Sequence, residues 1–125
     1  MSLLINTATE GTYPFEVILS EGESIAREKV TLISGQNLKA GAVLGLITAS
    51  GKYTLHDNAA SDGSEAAAAV LLIDTNATSA DASTLILARL AEVKGDLLVW
   101  KSGISAPNKA AGIAALAAKN IIVRS

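Results

Sequence analysis

Ala42-Val-Leu-Gly-Leu-Ile-Thr-Ala-Ser-Gly-Lys-Tyr-Thr-Leu-His56 is the stretch on which the fold turns. Ala42 to Ala49 is an apolar run of strand length. Ser50-Gly51 breaks it, and Lys52 to His56 resumes in residues that suit a strand. Two such runs joined by Ser-Gly form a hairpin, with the glycine supplying the positive φ of the turn. Gly41 and Gly45 repeat the spacing of a membrane helix-dimer motif, but Ala40 to Ala49 is only about half of the ~20 residues a span needs. We therefore take Gly41 as a turn glycine and Gly45 as a strand glycine that lets another backbone come near.

Upstream of the hairpin, Lys29 to Ile33 is a short β-branched run stopped by Ser34-Gly35, and Gln36 to Gly41 is expected to be a turn. Downstream, Asp57 to Glu65 is a polar loop. Ala67 to Asp74 is a continuous apolar run, which predicts a central strand covered on both faces. Thr75 to Ser83 is a second polar loop. Ser83 to Lys94 stays open between two readings. Leu85, Leu87, Ala91 and Val93 alternate as in a strand, whereas the residue types, with Ser83 as N-cap and Gly95 as C′, slightly favour a helix.

Ser105 to Lys119 is a clearer helix. Ser105 caps it, and Pro107 sits in the first turn, where a missing N–H does no harm. Ile113, Leu116 and Ala117 recur three and four apart, and Ala110 and Ala114 extend the same side, so that side is expected to face the core. Gly112 inside the helix costs roughly 1 kcal/mol, which a close contact can offset. Lys119 suits the negative end of the dipole. Asn120 ends the helix and Ile121 to Val123 form a last strand. About six short strands and one C-terminal helix make the fold class α+β, a compact mixed β domain.

Residues 1–25 differ from the rest. Gly11 and Pro14 punctuate a polar start. Tyr13, Phe15, Val17 and Leu19 then alternate as in a strand, ahead of the polar break Ser20-Glu-Gly-Glu-Ser24. This stretch is either an edge strand of the domain or an arm without a partner of its own.

With 125 residues, the chain is long enough for one domain and too short for two comfortable ones. Half of the residues are apolar but only 3% are aromatic, so the apolar mass is small and aliphatic, with alanine the commonest residue. A core of this kind is thin and usually needs help from association. A net charge of −2 argues against nucleic-acid binding. The absence of cysteine excludes disulfides, thiolate zinc sites and cysteine nucleophiles. No run is long enough for a membrane helix, and the start has neither the basic nor the apolar part of a secretory signal. We expect an intracellular, soluble chain.

Chemistry is scarce. His56 is followed by Asp57, but neighbours on a strand point to opposite faces, so the pair is poorly placed as a dyad. We read His56 as an ordinary hairpin-end histidine. Asp57, Asp62 and Glu65 offer oxygens for calcium, yet Ala59 stands where an EF-hand loop needs Asp or Asn, which leaves a solvated turn. No phosphate-cradling glycine motif occurs. We expect no catalytic residue, metal or cofactor, and no enzymatic activity. Trp100 is the largest apolar side chain, either a core residue or an interface anchor.

From Arg27 onward the order of elements resembles the bacteriophage head decoration proteins. The matching pieces are Arg27 to Gly45, Gly51-Lys-Tyr-Thr54, Asp62-Gly-Ser64 with Ala67 to Asp74, Leu85 to Lys94, and Ala110 to Val123. The resemblance implies a homotrimer of the 26–125 domain, seated at threefold sites on the outer surface of the expanded head. Such a protein stiffens the virion shell against packaged DNA. It also implies that residues 1–25 form a flexible arm ordering on the major capsid protein, without direct contact to nucleic acid or membrane. It favours strand for 83–94. Tyr13, Phe15, Val17 and Leu19 are then our candidate capsid contacts, and Trp100 a candidate trimer or capsid interface. A second resemblance links Leu38 to Ile47 plus Gly51 to biotinyl and lipoyl carrier domains. Those carry a modified lysine at a hairpin tip, but Lys52 lacks their flanking methionine or aspartate.

Overall fold

A computed structural model describes residues 17–21 and 26–124. Along the chain run β1 (Ile18–Glu21), β2 (Arg27–Leu32), β3 (Gln36–Leu38), β4 (Val43–Ile47), β5 (Lys52–Leu55), β6 (Ala67–Leu71), β7 (Thr75–Ala77), β8 (Ala82–Leu87), β9 (Ala91–Lys94), α1 (Ala106–Ala118) and β10 (Ile121–Arg124). Five of them close into a barrel in the order β2-β5-β4-β6-β8. A three-stranded sheet, β1-β9-β10, stands beside it, and β3 pairs with β7 as a small ribbon. The β-rich domain with one helix is the expected α+β class.

The founding hairpin forms as its sequence requires. Leu46 faces Tyr53 and Ile47 faces Lys52 across β4 and β5, and Gly51 turns the chain at φ +74°. β6 runs between β4 and β8 and is buried over most of its length. Gly45 sits where the β4–β6 register shifts. A Cβ there would lie 2.5 Å from the Ser64 carbonyl oxygen and 2.6 Å from its Cα, so only glycine admits the loop after β5. That loop is tied down by Thr48 N–H donating to Asp62 O and Asp57 N–H donating to Ser64 O.

Several elements depart from the expectation. The stretch read as a turn contains β3, and the loop after β6 contains β7. Three-residue strands such as Gln-Asn-Leu and Thr-Asn-Ala carry too little periodicity to be seen, and their centre, Asn37 opposite Asn76, faces water. The 83–94 segment is two strands. β8 pairs along its whole length with β2, and Leu90, at φ +56°, passes the chain from the barrel to the open sheet. Pairing with distant strands overrides its helix propensity.

The helix begins as expected, the Ser105 hydroxyl accepting from Asn108 N–H at 3.3 Å. Of the side expected to face inward, only Leu116 does so. Gly112 and Leu116 are buried, whereas Ala110, Ala114 and Ala117 are exposed and Ile113 is 37% exposed. The Trp100 ring lies on Gly112, with 2.6 Å between Cζ3 and the place of an added Cβ. Room for that ring chose the buried side, not the size of the helix's own residues.

An exposed clasp closes one end of the barrel. Asp81 accepts from Ser34 N–H and, at 2.6 Å, from the Lys52 ammonium. The Lys52 hydrogen bond, chiefly, holds the Asp81 carboxyl below the usual carboxylate range. A depressed folded pKa stabilises above the unfolded value and loses that contribution as pH falls through the folded one. Asp81→Asn should therefore flatten the fall of Tm between neutral pH and about pH 3. An unchanged slope contradicts the clasp. Gly45→Ala should lower stability by about 1–3 kcal/mol in urea unfolding, because the obstructing atoms are backbone. An unaltered midpoint refutes the close approach.

Candidate functional site

β2 pairs with β8 along its whole length but with β5 only at Leu32 and Tyr53, and outside the barrel β1 and β10 are the edges of the open sheet, where another chain can add a strand. β1 has β9 on one side, and its other edge carries no strand among the described residues. Val17, just ahead of β1, is only 1% exposed, and its carbonyl accepts from Lys94 N–H. Ile18 is half-buried, and Leu19 is 46% exposed. Of the four candidate contacts, Val17 is packed in the domain's core and Leu19 is on the surface. Tyr13 and Phe15 lie outside the described residues.

Trp100 is half-buried. Its ring meets His56 edge to face, with centroids 6.0 Å apart and planes at 76°, and covers Gly112 on α1. It thereby fastens the helix to the end of β5. His56 is 1% exposed, much deeper than a hairpin-end residue was expected to lie. Its Nε2 lies 3.1 Å from the Glu65 carbonyl oxygen, and its buried Nδ1 has no hydrogen-bond partner among the described residues. Asp57 turns to its own loop, where Oδ1 accepts from Ala59 N–H, so His56 and Asp57 do not join.

The other carboxylates of that loop are also occupied locally. Asp62 Oδ1 accepts from the Ser64 hydroxyl at 2.6 Å and from its N–H at 3.0 Å, which holds the Asp62 carboxyl below its ordinary range. Glu65 Oε1 accepts from Gly63 N–H. Among the described residues no group of three His, Cys, Asp or Glu side chains is placed to hold a metal ion. Lys52 lies at the start of β5 rather than at the turn, and its ammonium is engaged by Asp81. A carrier lysine needs a free tip, and this one lacks it.

The surface feature that sequence reasoning misplaced is apolar. Leu19, Leu90, Val99 and Ile113 are exposed, and with Ile113 go the outward alanines of α1. Its signal was present, since Ala110 to Ala118 holds no charged residue. Spacing alone turns Ala110, Ile113, Ala114 and Ala117 of that run toward the core, and the structure turns them out.

No curated protein matches the chain. The family model of the bacteriophage lambda head decoration protein D matches residues 7–121, from ahead of β1 to the first residue of β10. The match spans the barrel, the open sheet and the helix. The chain belongs to the bacteriophage lambda head decoration protein D family and is a structural protein of the phage capsid.

Proposed function

We propose that this head decoration protein binds as a homotrimer at threefold sites on the outer surface of the expanded capsid. Bound there, it stiffens the shell against the pressure of packaged DNA. The observation that carries this reading is the family match over residues 7–121. The partner is the major capsid protein, and the net charge of −2 supports neither a nucleic-acid nor an anionic-membrane contact.

Residues 1–25 serve as the docking arm and 26–125 as the trimer-forming body. Val17 to Glu21 root the arm on β9, and the open edge of β1 supports docking by strand addition. With Val17 used in the core, Tyr13, Phe15 and Leu19 are left for the shell. At ~1.5–3 kcal/mol per large side chain, they contribute on the order of 5–9 kcal/mol gross. Ordering each further backbone residue costs about 1–2 kcal/mol, so one arm binds weakly. Three arms on one trimer make the later contacts intramolecular and raise avidity by roughly 10²–10⁴. A lattice offering three edges at the right spacing is bound, and scattered capsid subunits are not.

Mixing the full chain with expanded, undecorated shells of its phage should add density at threefold positions and raise the temperature at which the shells fail. Bare threefold positions would sink the proposal. A chain lacking residues 2–16 keeps β1 and should remain folded and trimeric while losing the shell. Retained binding would remove the arm from the mechanism.

A further inference from the structure

The helix turns its least polar side outward. At about 100° per residue, Ala106, Ala110, Ile113, Ala114 and Ala117 fall on the arc away from Gly112 and Leu116, and all five are exposed. A helix apolar on both sides is normally covered on both. Ile113 is the single large side chain on that arc.

The same helix borders a hollow of about 190 Å³ between α1 and the 58–67 segment. It is lined by His56, Ala67, Ala111, Gly112 and Ala115, and Glu65 is the one acidic residue at it. The hollow has room for a branched aliphatic side chain. Counted from Gly112, Ile113 lies about 100° one way round the helix and Ala111 about 100° the other way. Knob and hole thus occupy opposite flanks of one element. A patch that fits a pocket elsewhere on the same molecule makes a head-to-tail contact, which closes into a ring when the rotation allows.

Charge selects the occupant. Lys109 lies four residues before Ile113, one turn away on the same flank, and takes part in no ion pair among the described residues. Glu65, exposed at the hollow, carries the opposite charge. We propose that α1 carries the contact between copies: Ile113 of one seats in the Ala111–Gly112–Ala115 hollow of the next, with Lys109 facing Glu65. This rests on the trimer reading above and assigns it a surface.

The test uses the full chain, with mass from light scattering, fold from circular dichroism and binding to expanded shells. The unsubstituted protein should weigh about three times 12.7 kDa. Ile113→Asp, which places a charge on an already exposed position, should fall to one copy with its fold kept. Ala111→Phe, which fills the hollow from its exposed edge, should do the same. Lys109→Glu should weaken association at least tenfold, and the double reversal Lys109→Glu with Glu65→Lys should restore it. Trimers that survive both Ile113→Asp and Ala111→Phe overturn this contact and leave the decoration reading standing. A double reversal no better than its parents overturns it too. Trimeric Ile113→Asp that no longer binds shells gives the face to the capsid protein instead, against the proposal. An unsubstituted chain that is single-copy in solution and on the shell refutes the trimer reading together with this contact.

Discussion

Two backbones press against the start of β4, and the rest of the molecule is positioned by them. A side chain at Gly41 would collide with the Leu97 carbonyl, and one at Gly45 with the backbone of Ser64. Because neither side chain exists, Val99 pairs beside Ala42, giving its carbonyl to Val43 N–H and its own N–H to Gly41. His56 N–H reaches back to Val43 O from the end of the hairpin. Trp100 follows Val99 directly, so its ring arrives on His56. Gly112 then accepts the ring, and α1 is set at a fixed height over the barrel. Backbone spacing, not a large apolar core, decides where the helix lies.

That economy matters in a chain so rich in alanine. The largest fully buried side chains are leucine, isoleucine, valine and His56, and the aromatic rings stay partly exposed or outside the described residues. Alanine loses no rotamer entropy on burial but contributes little area. Small side chains let elements approach closely, and the structure uses this at β6, whose Ala67 and Ala69 are buried in the wall between β4 and β8. The buried hydroxyl pair of Thr75 and Thr84, 2.6 Å apart, satisfies polar groups next to the barrel without water. Among the described residues, what stays open is the buried His56 Nδ1, the strand edges outside the barrel, β1 and β10 among them, and the outward face of α1.

Much of this was legible in the residues. The Ser50-Gly51 hairpin, the central strand from Ala67, the Ser105 cap and the role of Gly45 all follow from local chemistry, and all appear. Strands β3 and β7 were invisible, because three residues with one apolar side chain among them carry no period. The split of 83–94 at Leu90 could not be read, since nothing in a leucine announces a left-handed backbone. The buried side of α1 was misjudged for a related reason. Spacing shows that two helix faces are apolar, but which one meets the barrel is set by Trp100, and that contact is non-local. The copy-to-copy face proposed on α1 inherits this limit: its composition is written in the helix, and its orientation is not.

An exposed apolar face is ordinarily a liability for solubility. Alanine moderates it, since each exposed methyl offers little area to unwanted partners. A face made of alanine with one isoleucine is weakly adhesive in general and becomes strong only against a surface with a matching hollow. Specificity then resides in Ile113 and in the charge beside it, while the alanines set how closely the partner approaches. A decoration protein must stay dispersed at high concentration before a shell is ready, yet hold firmly once it is in place. On the reading proposed above, weak, repeated contacts meet both demands: a small apolar face between copies, and an arm whose hold comes from threefold repetition.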